Sequence, residues 1–445
     1  MAEPWTPNAD DLAAIFAPVH GYARIVLAVS GGSDSTALLH LAVRWARSLR
    51  TDAPTISVAI VDHGLRPESA AEAHDVAEAA RALGVEAGVL TWCGAKPEQS
   101  IQEKAREVRY ALIGQYASEG GPGACAILTA HTQDDQAETV LMRLARGSGP
   151  DGLQGMRCVR TLDAYPNLIL VRPLLHHSRE QLRSFLMADG IRWFDDPSNE
   201  DARFERVRLR AAAGTLSELG LTPAMVGLAA ERQQRAVAAL EAATDATAAA
   251  ALDLHGGMFA SIAASVFRSA AAEIQIRLLS RVLKIFGGAS GPAEMAQVER
   301  LAQRLMTDSA TRVTMGGCEV RACDREIRVF RERGRAQLTP IQIEQGQEVI
   351  WDNRFYIRHK VGSGPAITGA MVVRALDAGS AAVLRRRVSP RPTLPMRAAA
   401  TLPSVWVDDV LVCVGGLPSS LFRDAGHAVS KVEMRFLSEP ARSCP

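Results

Sequence analysis

Four carboxylates and one serine–glycine turn carry the chemical signal of this chain. Asp34 lies inside Ser30-Gly31-Gly32-Ser33-Asp34-Ser35. Asp134, Asp135 and Glu138 lie inside His131-Thr132-Gln133-Asp134-Asp135-Gln136-Ala137-Glu138-Thr139. Adjacent glycines leave no side chains above the backbone amides. With the Ser30, Ser33 and Ser35 hydroxyls and a helix N-terminus, those amides form a socket for an anion, usually a phosphate. Capping would explain one serine at about 1 kcal/mol. It does not explain two glycines, each costing about 0.5–1 kcal/mol of chain entropy. Asp134 and Glu138 are four apart and Asp135 and Glu138 three apart, so they share a helix face. Acids converging there suit Mg²⁺ or an ammonium-bearing substrate, with Asp34 and Asp135 as the candidate metal oxygens. Thr132 and Asp135 also match a capping box, which accounts for Asp135 without any chemistry.

Other polar constellations surround these. Asp62-His63-Gly64-Leu65-Arg66 offers an acceptor for a ribose or adenine group and an arginine for a phosphate, or else a surface turn whose aspartate caps the next helix. Arg143 and Arg146 precede the glycine-rich stretch 147–156, which serves either as a mobile gripping loop or as a plain connection. Arg203, Arg206, Arg208 and Arg210 form one basic cluster; Arg385, Arg386, Arg387, Arg391 and Arg397 form another, with no acid between Asp377 and Asp408. Such clusters fit RNA phosphates or a solvated surface. Aromatic residues are only 5% of the chain, so stacking platforms are few and phosphate contacts should dominate any RNA binding. That binding is expected to weaken steeply between low and moderate salt.

The elements that must position these residues alternate. Apolar runs at 25–29, 55–61, 87–91 and 126–130 are expected strands, separated by helical patterns at 35–48, 68–83 and 99–118. This predicts an α/β doubly wound parallel sheet, which binds ligands beyond the carboxyl ends of its strands. Each candidate residue up to Glu138 lies at such an end. A strand at 168–171 and a helix at 178–188 follow, then the turn-rich Asp195-Asp196-Pro197-Ser198-Asn199. From about 216 the chain becomes alanine-rich and mostly helical to about 306, then carries a strand broken at Gly316-Gly317 and another at 327–330. Short apolar runs at 371–373, 405–407 and 410–414 predict a small mixed α/β or β-rich C-terminal domain. The expected domains are 1–215, 216–332 and 344–430, with a linker over 333–343.

Bulk properties exclude several classes. The chain has 445 residues, 47% hydrophobic and 22% charged, as in an ordinary globular protein of two or three domains. A formal charge of +1 gives no global attraction to nucleic acid. Seven scattered cysteines with no C-x-x-C pair argue against a disulfide framework, a zinc ribbon or an iron–sulfur site, and for a reducing cytoplasm. No run of about 18 apolar residues occurs, so no membrane span is expected. The oligomeric state stays open, a homodimer included.

With a strand before it and a helix after it, S-G-G-S-D-S resembles the PP-loop of the N-type ATP pyrophosphatases. It lacks the lysine of a Walker A loop and the third glycine of a dinucleotide fingerprint. The ordered set S-G-G-S-D-S, D-H-G-L-R, H-T-Q-D-D-Q-A-E-T, R-G-S-G-P-D-G-L-Q-G-M, R-P-L-L and D-D-P-S-N is similar to the tRNA(Ile)-lysidine synthetase family, from Ser30 to about Arg210. One departure is Val207, where the family's R-N-x-x-R element has asparagine; Arg206 and Arg210 remain. The resemblance implies ATP and Mg²⁺ as cofactors, and free L-lysine and an isoleucine tRNA with a CAU anticodon as partners. Asp34, Asp134, Asp135 and Glu138 would then be catalytic. Residues 30–35 with Asp62, His63 and Arg66 would hold ATP. His131, Arg143, Arg146, Asn199, Arg206, Arg210, Arg385, Arg386 and Arg387 would face lysine or tRNA. Two other readings remain: a 2-thiocytidine-type PP-loop enzyme, which normally needs paired cysteines, and a catalytically silent tRNA-binding protein.

Overall fold

A computed structural model describes residues 4–49, 51–94, 96–97, 101–121, 124–162, 165–194, 205–288, 293–334, 338–361, 369–387, 395–422 and 432–437. The chain divides into two compact units, with the boundary between residues 237 and 238.

The first unit runs α1 (Ala9–Phe16), β1 (Arg24–Ala28), α2 (Ser33–Ser48), β2 (Thr55–Asp62), α3 (Ser69–Ala82), β3 (Glu86–Thr91), α4 (Ile101–Glu119), β4 (Cys125–Thr129), α5 (Gln133–Ala145), α6 (Pro150–Leu153), β5 (Val159–Leu162), β6 (Tyr165–Val171), α7 (Arg179–Ala188) and α8 (Glu205–Ala211). Its six strands lie in the order β3-β2-β1-β4-β6-β5. All pairs are parallel except β5 with β6. This antiparallel edge strand is absent from the sequence expectation, because Val-Arg-Thr-Leu is short and mostly exposed and carries no apolar run.

Strand alternation splits the core between the two faces of the sheet. Ile25, Leu27, Val58, Ile60 and Leu128 pack on one face with α1, α2, α3 and α7. Val26, Ala59, Ile127 and Leu170 pack on the other with Ile113 and Ala117 of α4. Every residue of β4 is buried, as a central parallel strand covered on both faces requires. From β1 the chain winds outward through β2 and β3; β4 then pairs with the other side of β1. The crevice at this switch point, beyond the ends of β1 and β4, is where such sheets take ligands.

The second unit opens on the rest of the 29-residue helix Pro223–Ala251. The amphipathic helices Ala272–Phe286 and Met295–Thr307 follow, packed on a five-stranded antiparallel sheet through Leu279, Val282, Phe286, Val298 and Leu305. The expected strand broken at two glycines is a hairpin, Arg312–Met315 and Cys318–Ala322. Gly316 and Gly317 make its turn with φ of +53° and +74°. Two further antiparallel sheets, of four and three strands, enclose a core around Trp351, Phe355, Ile357, Val373 and Val405. The expected linker is shorter than proposed, since Ile341–Ile343 is already a strand. No helix among the described residues is long and apolar enough to cross a membrane.

Candidate active site

β1 ends at Ala28 and α2 begins at Ser33, leaving Val29 to Gly32 to turn the chain. Gly31 makes the turn at φ +86°, where a Cβ would lie 2.7 Å from Val76 Cγ2. The Gly31 carbonyl accepts from the Phe194 amide at 2.9 Å and from Thr36 Oγ1 at 3.2 Å. The Ser35 hydroxyl donates to the Gly32 carbonyl at 3.0 Å and accepts from the Ser30 amide at 3.2 Å. It also contacts the Ser30 hydroxyl at 3.2 Å. The loop is thus braced from within and behind, while no side chain caps the first turn of α2. Uncapped first-turn amides beside a helix dipole are what an anion needs.

Across the switch point, Thr132 opens α5 as a complete capping box. Its hydroxyl accepts from the Asp135 amide at 3.3 Å, and its own amide donates to Asp135 Oδ2 at 3.0 Å. The capping role and a site role coexist, because the other oxygen, Asp135 Oδ1, lies 3.2 Å from Arg179 Nη2. Arg179 Nε donates to Asp34 Oδ2 at 3.1 Å, and the Arg179 amide donates to Asp134 Oδ2 at 2.8 Å. One residue therefore holds three of the four expected carboxylates. The fourth, Glu138, is buried and accepts from Arg210 Nε at 2.6 Å, with Arg206 Nε at 3.9 Å.

Arg179 is the site residue that the sequence reading missed. It occupies the first position of α7, where a cation opposes the helix dipole and acids are normally found. A basic residue in that first turn, just after Ser178, was the available signal. One turn on, Arg183 Nε lies 3.4 Å from Ser33 Oγ.

Burial and charge set the protonation of these groups. Burial pushes the Asp34 carboxyl up, and Arg179 only partly offsets it. Burial acts the same way on Asp135, but the Arg179 guanidinium and the Thr132 amide outweigh it and hold that carboxyl below its ordinary value. Burial would lower Arg179, yet Asp135 and Asp34 keep it firmly charged. His131 is pushed down to about 3 by burial. Its Nδ1 shares a hydrogen bond with Thr129 Oγ1 at 2.9 Å.

Other expected residues stand further from this cluster. Asp62 accepts from the Gly64 amide at 2.8 Å and Ser69 Oγ at 2.7 Å, so it organises the turn into α3. Arg66 pairs with Glu72 at 2.7 Å. His63 packs edge-on to Trp92 and is lowered by burial to about 4. Arg143 donates to the Gly152 and Gly155 carbonyls at 2.9 Å each, tying down the glycine-rich loop, and Arg146 pairs with Glu205. Asn199 and Arg203 lie outside the described residues. In the second unit Arg385 and Arg386 are exposed on the helix Ala378–Arg387; the Arg387 side chain is not among those described. Arg385 lines a cavity of about 450 Å³ with Arg321, Arg328, Phe330 and Arg397.

Asp34 and Asp135 each present a carboxylate oxygen to the same guanidinium from the start of a different helix. Mg²⁺ is typically held by one or two carboxylates with substrate phosphates supplying further oxygens, so this pair beside an anion socket fits it.

Comparison with known proteins agrees with this geometry. Residues 6–215 match a family model described as a PP-loop domain. The tRNA(Ile)-lysidine synthase of Bradyrhizobium sp. BTAi1 is 42% identical over 306 residues, covering 67% of this chain and 84% of its own. That of Rhodopseudomonas palustris is 44% identical, covering 68% and 86%. That of Ruegeria pomeroyi is 37% identical over 384 residues, covering 86% of both chains.

Proposed function

The chain belongs to the tRNA(Ile)-lysidine synthase family, and on that premise we propose how its own residues carry the ATP-dependent joining of free L-lysine to the wobble cytidine of a CAU-anticodon isoleucine tRNA. The observation that carries the reading is the uncapped serine–glycine turn at Ser30–Ser35, which holds Asp34, set against Asp134, Asp135 and Glu138 of α5 across the switch point of the sheet.

A carbonyl oxygen is a poor leaving group until it is esterified. The cytidine C2 oxygen attacks the α-phosphorus of ATP, a new P–O bond forms, and the bond to pyrophosphate breaks. The amides at the start of α2 and the Ser30 and Ser33 hydroxyls receive the departing pyrophosphate, stabilising charge where it develops, while Ser35 braces the turn beneath them. A lysine amine then attacks C2, the C2–O bond breaks, AMP leaves with its oxygen, and the amine's proton passes to solvent. Asp34 and Asp135 would hold Mg²⁺, which neutralises phosphate charge when bound. Glu138 or Asp134 would hold the charged lysine, whose attacking amine gives up a proton to solvent before it reaches C2; hydrogen bonds to charged groups are worth about 1.5–3 kcal/mol. Arg210 holds Glu138 and Arg206 stands close to it; both would be available to the phosphates of an anionic tRNA. Arg143 anchors the loop 147–156, Arg146 pairs with Glu205 of α8, and the exposed Arg385 and Arg386 of the second unit offer phosphate contacts. An anticodon loop is single-stranded, so its base can be presented without opening a duplex.

The test is incubation with ATP, labelled lysine and candidate tRNAs, followed by nucleoside analysis. Label should appear at the wobble cytidine of the isoleucine tRNA, and pyrophosphate release should require both lysine and tRNA. Asp34→Ala should lower incorporation by about 100-fold or more, in line with losing one oriented electrostatic group in a site of this kind. Pyrophosphate release without lysine or tRNA, or full incorporation by Asp34→Ala, would overturn the reading.

A further inference from the structure

The guanidinium of Arg179 spans Asp34 Oδ2 at 3.1 Å and Asp135 Oδ1 at 3.2 Å, while its amide holds Asp134. We propose that Arg179 is a positioning residue that stands in for the divalent cation, occupying the Asp34–Asp135 carboxylate pair until nucleotide arrives and excluding the free metal ion meanwhile. The proposal rests on the nucleotide-binding role given to this site above.

Three observations carry it. First, Asp34 lies in the first turn of α2 and Asp135 in the first turn of α5, so the two acids are fixed by separate helix starts, and the cation between them is the Arg179 guanidinium. Second, Arg179 begins α7, where the dipole disfavours a positive charge; the acids it faces are what offset that cost. Third, the anion socket adjoins Asp34. A polyphosphate can settle on those amides only if the nearby carboxylate charge is neutralised at every stage. The guanidinium does this in the nucleotide-free protein, and a cation carried by ATP would compete for the same two oxygens. The planar fork suits such a holding role, since it bridges two acceptors with directed bonds where an ammonium offers a point charge. Released from the carboxylates, the same fork is left beside the phosphates.

The experiment measures Mn²⁺ binding to the full-length protein by electron paramagnetic resonance, without ATP, lysine or tRNA, in wild type, Arg179→Gln and Arg179→Lys. Arg179→Gln should bind nucleotide-free Mn²⁺ about tenfold tighter than wild type, equivalent to about 1.4 kcal/mol. Arg179→Lys should fall between the two, and the gain should vanish in the double variant with Asp34→Asn. A merely structural arginine would leave affinity unchanged or weaken it, so Mn²⁺ affinity equal to or below wild type in both single variants overturns the proposal. If Arg179→Gln does not fold, Arg179→Lys decides the matter by the same comparison. Because the assay contains no lysine and no tRNA, it fails or succeeds separately from the nucleoside analysis that tests the overall function.

Discussion

The two glycines of the phosphate turn do different work, and alanine should separate them. Gly31 sits at φ +86°, and an added Cβ would meet Val76 Cγ2 at 2.7 Å in the core between α2 and α3. Gly32 has an ordinary extended conformation, φ −68° and ψ 163°, and a Cβ there would find its nearest atoms at 3.8 Å and 4.0 Å. Gly31→Ala should therefore cost about 1 kcal/mol or more, since alanine is strained at positive φ and Val76 must also move. Gly32→Ala should leave urea stability within about 0.5 kcal/mol, as substitutions away from special features do. It should still raise the KM for ATP, because its methyl stands beside the first-turn amides. Equal stability losses in the two variants would show that the turn is not held by Gly31. The same scale explains what the sequence concealed. Asp34, Asp135 and Glu138 were readable as a cluster because motif spacing and the β-α repeat bring them to one edge. Arg179 was not, because it lies 145 residues from Asp34 and nothing local to it announces a partner.

At the scale of elements, α5 is the joint between folding and chemistry. Thr132 is fully buried, and its hydroxyl satisfies the Asp135 amide while also donating to Asp135 Oδ2 at 3.1 Å. Thr132→Val keeps the shape and removes the hydroxyl. It should cost about 1 kcal/mol as a lost N-cap and lower ATP turnover, because Asp135 is no longer aimed at Arg179. Thr132→Ser should restore both in urea melts and pyrophosphate assays. Full turnover by Thr132→Val would mean that the box serves the helix alone. Strands β1 to β4 were legible because parallel strands buried on both faces read as continuous apolar runs. The strands Glu348–Trp351 and Phe355–His359 were not: each is short, alternates burial, and borders the fully buried Arg354, which pairs with Asp352 at 3.0 Å. Paired charges in a core disguise a strand as a polar turn.

For the whole molecule, two compact units imply two unfolding events, and acid should separate them. In the first unit His131 and His63 are lowered to about 3 and about 4, and His40 and His177 are lowered too, all by burial. The raised Asp34 carboxyl takes up its proton earlier than the unfolded chain and offsets part of their effect. As pH falls below the unfolded value near 6.5, the unfolded chain takes up these protons and the native unit does not, so stability declines with pH down to the folded values. Each fully excluded proton is worth about 1.4 kcal/mol per pH unit; half-buried His63 contributes less because solvent screens it. Asp135, held low in the folded state, adds its own loss only once pH drops below the ordinary carboxylate range. In the second unit the shifted groups among the described residues that matter under acid are carboxylates held low, Glu319 by the arginines Arg321 and Arg397, Asp377 by the Ser380 amide and Asp308 by the Ala310 amide, so its losses begin only near pH 4. Between pH 7 and pH 5 the first unit should lose stability while the second holds. Urea unfolding at both pH values, with cysteine labelling to follow Cys125 in the first unit and Cys318 in the second, reads the two separately. The Cys125 midpoint should fall and the Cys318 midpoint stay, and His131→Asn should flatten the first response. A Cys318 midpoint that falls as far as that of Cys125 would place the acid sensitivity outside the buried histidines of the first unit.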